Sequence, residues 1–130
     1  GGKVVTAPLD RANGYAIDGA AIEARINKKT LMIAMVNPAN PTGRVYSREE
    51  LQIVADIAIK HDLMVLSDEV YDQIVYDDNQ HISIASLPGM WERTFSCYAY
   101  TKAYAMDGWR LGYVACHEKF MPAPDDDNGQ

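Results

Sequence analysis

Apolar residues fall along this chain in two rhythms. Short runs bounded by polar or turn residues occur at "KVVTAP" (3–8), "LMIAMV" (31–36), "LMVLSD" (63–68), "TFSCYAY" (94–100) and "LGYVAC" (111–116). The first is alternating and β-branched, which predicts a strand. "LMIAMV" has no polar face and predicts a central parallel strand covered on both sides. Elsewhere the period is helical: Leu51, Val54, Ala55, Ala58 and Ile59 form one stripe running to His61. Ser47 and Glu50, three residues apart in "SREE", open that helix as a capping box. Asp18 is placed to cap an earlier helix through "GAAIEARI" (19–26). "RANGY" (11–15) and "NPANPTG" (37–43) are turn sequences.

The order strand–helix–strand–loop–helix–strand predicts an α/β layered domain with a largely parallel sheet. In such sheets ligands sit beyond the carboxyl ends of the strands. Polar residues collect there: Asn37 and Asn40 after one strand, Asp68 and Tyr71 after the next, Thr101 and Lys102 after a third. Separate segments thus deliver Asn, Asp, Tyr and Lys to one rim, as a cofactor pocket requires.

Length and charge narrow the picture. A chain of 130 residues with 48% apolar content holds one domain. A net charge of −6 argues against nucleic acid or an anionic membrane as partner. Part of that charge lies in the acidic tail, residues 122–130, which reads as solvated and disordered. Cys97 and Cys116 sit inside apolar runs without metal-ligand spacing, so they read as small buried hydrophobes and no metal site is expected. No apolar run reaches the roughly 18–20 residues of a membrane span. The chain begins without Met in a strand-like segment and reads as a piece of something longer.

The stretch "YTKAYAMDGWRLGYVAC" (100–116) carries the sharpest question. Lys102 follows one apparent strand and Arg110 precedes another, and burying cations there is costly unless they are paired. A salt bridge, an anionic ligand or a covalently reactive lysine would each answer it. Taken with "NPANPTG" and "SDEVYD", this stretch resembles the core of the fold-type I pyridoxal-phosphate enzymes, specifically the class I/II aminotransferases. The matching positions are Asn40, Asp68, Tyr71, Lys102 and Arg110, in order over almost the whole chain.

The resemblance implies a three-layer α/β/α large domain with a mostly parallel sheet, present here incompletely over residues 1–121. It implies pyridoxal 5'-phosphate as cofactor and amino-group transfer between an amino acid and a 2-oxo acid through a Lys102 Schiff base. Lys102, Asp68 and Tyr71 would be catalytic. Asp68 would pair with the ring nitrogen, and Asn40 and Tyr71 would hydrogen-bond the phenolic oxygen. Arg110 would clamp the phosphate, with Thr101 adding a hydroxyl. Many relatives carry serine where this chain has Ala99, and Asp107 replaces a residue often small or uncharged. A homodimeric cytoplasmic parent is also implied, with small-molecule substrates and neither nucleic acid nor membrane as partner. The resemblance places the phosphate loop, the stacking ring and the substrate-carboxylate arginine outside this chain. A lyase or synthase of the same fold and a ligand-sensing domain of a transcription regulator stand as alternatives. His61 reads as a helix end, His81 and His117 as loop residues, and Trp91 and Trp109 as packing residues.

Overall fold

The computed structural model describes residues 2–121, so the expected acidic tail lies outside the described residues. Four strands form one sheet in the order β1-β2-β3-β4: Met32–Val36, Met64–Asp68, Thr94–Ala99 and Gly112–Ala115. The first three run parallel and β4 returns antiparallel to β3. The helices are α1 (Gly19–Glu23), α2 (Arg48–Lys60) and α3 (Tyr100–Ala103). The mostly parallel α/β sheet anticipated from the apolar runs is therefore present.

Register decides what each sheet face carries. Ile33 lies beside Val65 and Met35 beside Ser67, while Val65 and Ser67 lie beside Thr94 and Ser96. This face packs under α2, whose Leu51, Val54, Ala55 and Ala58 join Val65, Ile84, Leu87 and Met90 in one core. The opposite face carries Met32 and Val114, 41% and 54% exposed, and a half-buried Phe95 whose ring lies 4.8 Å from Phe120. Among the described residues one outer layer is thus in place. β1 was expected to be covered on both sides. Instead it is the sheet edge, with Met32 and Ala34 exposed.

Three further elements differ from the sequence pattern, each for a local reason. "KVVTAP" is not a strand. Residues 3–8 join no ladder, and Val4 and Val5 are 88% and 54% exposed. β-branched alternation favours extended backbone, but a strand exists only with a neighbour to satisfy its amides, and β1 pairs with β2 alone. Chain pairing first occurs at the Asp10–Ala16 bridge. The α1 helix stops at Glu23, three residues before Ile26. There the bonds tighten from Arg25 N to Ile22 O and from Ile26 N to Glu23 O, and Asn27 then accepts the Lys29 amide to form a turn. Ile59 leaves the buried stripe, at 43% exposure, and Ile57 replaces it. The cause is α1, which packs so closely on that side that a Cβ on Gly19 would stand 2.6 Å from Ile53 Cγ2.

The caps behave as the sequence implies. Asp18 Oδ1 accepts the Ala21 amide at 3.0 Å. Ser47 Oγ accepts the Glu50 amide while Glu50 Oε2 accepts the Ser47 amide, closing the box. Glu50 does more than cap. Its Oε1 also accepts the Ile17 amide at 3.1 Å and both Nε and Nη2 of Arg44, at 3.2 and 2.9 Å. One carboxylate therefore joins the start of α2 to the segment before α1 and to the loop after β1. Burial pushes its carboxyl up, but hydrogen bonds from Ser47, Arg44 and Ile17 outweigh this and hold it below the usual 4.5.

A lowered folded value means the stabilisation is fully present above about pH 4.5 and is lost as pH falls through the folded value. Glu50→Gln should cost about 1–2 kcal/mol at neutral pH. Urea titrations of the two proteins should converge as the pH drops below that range, and a gap independent of pH would contradict this linkage.

Candidate functional site

The carboxyl ends of β1, β2 and β3 open on a common edge, and each continues into a segment bearing a candidate residue. After β1 the chain turns at Asn37, which is buried. Its Nδ2 donates to Ile82 O at 3.1 Å and its Oδ1 accepts the Tyr46 amide at 3.1 Å. The turn then presents Asn40, whose Nδ2 points to Tyr71 Oη at 3.4 Å, a long contact. Asp68 ends β2 half-buried, and its Oδ1 accepts the Val70 amide at 3.2 Å. That bond caps a turn, because residues 70–73 do not form a helix. β3 runs into α3, which carries half-buried Thr101 and exposed Lys102, with Lys102 Nζ 5.9 Å from the centre of the Tyr71 ring.

Arg110 reaches this edge from the other direction. Since β4 is antiparallel to β3, its start lies beside the end of β3, with Ala99 opposite Gly112 and Tyr100 N donating to Leu111 O at 3.2 Å. Arg110 sits at φ 51°, and its Nη1 donates to Asp107 O at 2.9 Å. A long side chain in the left-handed region is uncommon and costs of order 1 kcal/mol, a cost often found at functional sites. The Asp107 side chain has no explanation in the structure. Tyr71 is thus the common neighbour of Asn40 and Lys102, at 3.4 Å from one and with its ring centre 5.9 Å from the other. Asp68, Thr101 and Arg110 share the edge with no side-chain hydrogen bond to these three among the described residues. The desolvation expected for Lys102 is not supplied by the described residues.

Comparison with known proteins decides the family. The family model "Aminotransferase class I and II" matches residues 1–123. The chain belongs to this family. It is 46% identical over 118 residues to an aspartate aminotransferase of Musicola paradisiaca (strain Ech703), covering 91% of this chain and 30% of that protein. An aspartate aminotransferase of Pyrococcus abyssi (strain GE5 / Orsay) is 44% identical over 115 residues, covering 88% and 30%. The crystal structure of an aromatic aminotransferase from Pyrococcus horikoshii OT3 superposes with a TM-score of 0.87 at 42% identity, covering 90% of this chain and 31% of that one. The chain therefore spans about 30% of the length of these relatives.

This aminotransferase chain also contains a polar cluster that the sequence reading passed over. Glu69 follows Asp68 directly, and its side chain is completely buried. Ser83 and Ser96 hydroxyls donate to Oε1 at 2.8 and 3.2 Å, while Tyr98 Oη donates to Oε2 at 2.9 Å. His81 Nε2 lies 3.0 Å from Oε2. Burial pushes the Glu69 carboxyl up, but bonds from His81, Ser83 and Tyr98 hold it below the usual range. Burial and the Glu69 charge in turn push the Tyr98 phenol up to about 12. The available signal was the two-residue period of a strand. If Asp68 faces one side, Glu69 must face the helix-covered side and needs donors there.

His61 does end α2, with Nε2 2.8 Å from Glu23 Oε2. His81 sits in a loop, yet it is tied to Glu69 rather than free. Trp91 and Trp109 were expected to pack, but are 43% and 76% exposed; Trp91 lines a shallow concavity with Val114, Cys116 and Met121, its ring 6.4 Å from that of His117. Cys97 and Cys116 are free and half-buried. No helix among the described residues is long and apolar enough to cross a membrane.

Gly112 marks the tightest point beside the site. A Cβ there would meet Tyr98 O at 2.7 Å and Ala99 Cβ at 3.5 Å. The pairing that brings Arg110 to the edge therefore needs a bare backbone. Gly112→Ala should destabilise the protein by about 1–3 kcal/mol by forcing β3 and β4 apart. Chemical denaturation would show this as a lower midpoint, and an unchanged midpoint would mean the approach is looser than described.

Proposed function

We infer that this chain is part of the cofactor-binding large domain, residues 1–121, of a pyridoxal-phosphate-dependent aminotransferase that moves an amino group between an amino acid and a 2-oxo acid. The observation that carries the reading is the placement of Asn40 and Lys102 on either side of Tyr71, on the edge that Asp68 and Arg110 share. The reading includes a homodimeric parent in the cytoplasm. It leaves the amino acid and the 2-oxo acid open, since the relatives are named for aspartate, aromatic, kynurenine and alanine transamination alike.

The donor set fits pyridoxal 5'-phosphate group by group. An amine on α3 suits an aldehyde, a carboxylate suits a protonated ring nitrogen, and an amide–phenol pair suits a phenolic oxygen. A guanidinium with a neighbouring hydroxyl suits a phosphate. Among the described residues neither Lys102 nor Asp68 has an ion-pair partner, so both are available to a ligand. When bound, the cofactor supplies an electron sink for charge developing at the substrate α-carbon. The chain's part is to hold and to move a proton. Lys102 Nζ would hold the cofactor's aldehyde carbon and, as a free amine, would be the group that takes up and gives back the α-carbon proton. The Asp68 carboxylate would hold the ring nitrogen by an ion pair. Asn40 Nδ2 and Tyr71 Oη orient the phenolic oxygen. Arg110 and Thr101 fix the phosphate, so the reacting atoms stay within reach of Lys102.

Borohydride reduction of the full-length protein with pyridoxal phosphate, followed by peptide mapping, should place the label on the peptide containing Lys102. Label spread over Lys3, Lys28 and Lys60 would sink the assignment.

Asp68→Asn should lower kcat by about 100-fold or more while cofactor binding changes little. Arg110→Ala should instead weaken cofactor binding by about 10- to 100-fold. Equilibrium titration and steady-state kinetics separate the two, and exchanged effects would mean the roles are misassigned.

A further inference from the structure

The ends of β2 and β3 are joined by more than the sheet ladder. Glu69 lies between Asp68 and Tyr71 in sequence, and its carboxylate receives Tyr98 Oη from β3, three residues before Thr101 and four before Lys102. Ser96, also on β3, donates to the same carboxylate. The other donors, His81 and Ser83, flank Ile82, whose carbonyl accepts Asn37 Nδ2 from the end of β1. Segment 81–83 thus ties all three strand ends together through two buried side chains, Asn37 and Glu69.

A carboxylate offers about four acceptor positions. Those of Glu69 are matched by four side-chain donors from β3 and segment 81–83. With the residue fully buried, water cannot replace a lost donor. The arrangement is consequently stiff, because any shift of β3 relative to β2 breaks a charge-assisted bond with no substitute.

We propose that Glu69 is a positioning residue, fixing the offset between the β2-borne Asp68 and Tyr71 and the β3-borne Lys102. It touches neither substrate nor cofactor and acts through the two backbones it joins. The proposal rests on the aminotransferase reading for what is being positioned, but not for the clamp itself.

Glu69→Gln is the direct test, since it keeps the shape but turns one acceptor oxygen into a donor facing donors. In cofactor-free full-length protein, hydrogen exchange should accelerate by about tenfold or more in peptides spanning 69–74 and 99–104, while α2 stays within about twofold of wild type. Tyr98→Phe should accelerate 99–104 more than 69–74, and Ser83→Ala the reverse. The second readout is the rate at which Lys102 captures pyridoxal phosphate, trapped by borohydride. It should fall by about tenfold in Glu69→Gln and by about threefold in Tyr98→Phe. Val54→Ala, a core truncation away from the clamp, should leave it unchanged at a comparable loss of melting temperature. Should Glu69→Gln fail to fold, Tyr98→Phe and Ser83→Ala make the same comparison. Exchange that rises evenly through α2, or not at all in either segment, would overturn the proposal, as would a capture rate that follows melting temperature alone. Localised exchange in variants whose wild type captures no cofactor at Lys102 would uphold the clamp and defeat the aminotransferase reading instead.

Discussion

A fully buried carboxylate is the constraint on which the sheet edge depends. Removing Glu69 from water would raise its proton affinity and destabilise the fold if it were left unpaired. Instead its neighbours supply enough donors that the ionised form is favoured. The requirement works in both directions. Satisfying the charge fixes His81, Ser83, Ser96 and Tyr98 in place, and so adds a polar tie to segments already joined by the sheet ladder and the apolar core. Glu50 repeats the same logic at the start of α2, where one carboxylate gathers Ile17, Arg44 and Ser47. The difference is burial, since Glu50 keeps some contact with solvent and Glu69 has none.

This division separates framework from chemistry. Residues assigned to the cofactor are half-buried or exposed, and their mutual contacts are loose: 3.4 Å between Asn40 and Tyr71, and 5.9 Å from Lys102 to the Tyr71 ring. The residues behind them are buried, and Glu69 and Asn37 are bonded at 2.8–3.2 Å. A site that must bind, release and exchange partners gains from groups that are unpaired at the surface but carried on fixed backbones. Arg110 makes the same point at β4. Its strained left-handed conformation is retained because the Gly112 approach and the Asp107 carbonyl determine the path on either side.

Sequence periodicity made the strands legible because "LMIAMV" and "LMVLSD" carry short apolar runs bounded by turn or polar residues, but it did not show that β1 lies at the sheet edge with one face exposed. The caps were legible for a similar reason, since Ser47 and Glu50 need nothing beyond their own helix. Ile57, Ile59 and residues 3–8 were not, because each outcome depends on a distant neighbour: α1 lying over one side of α2, or a partner strand next to "KVVTAP". Local pattern fixes what a segment prefers, while tertiary contact fixes whether that preference is met. Among the site residues, Asn40, Asp68, Tyr71 and Lys102 stood out as polar groups at strand ends and Arg110 as a cation before one, and the family resemblance singled out these five. Glu69 did not stand out, because nothing within "SDEVYD" shows that α2 and segment 81–83 cover the face it points to.

Asp68 and Glu69 show how little separates those two fates. Both are carboxylates, adjacent in "SDEVYD", at the end of one strand. The strand period of two sends them to opposite faces, and the faces differ because α2 and segment 81–83 cover one of them. On the covered face a carboxylate has to be saturated by the protein, and so becomes structural. On the other face the Val70 amide alone reaches Asp68 among the described residues, leaving acceptor capacity for a cationic partner. Both charges nonetheless bear on the same spot: after burial itself, Asp68 and Glu69 together push the thiol of Cys97 up. Cys97, opposite Asp68 on β3, is thus the side chain on which the two carboxylates meet. Because Glu69 is shielded from water, its share is less screened by salt than an exposed carboxylate's would be. The buried member of the pair thus reaches the open face only through its neighbours, while Asp68 meets it directly.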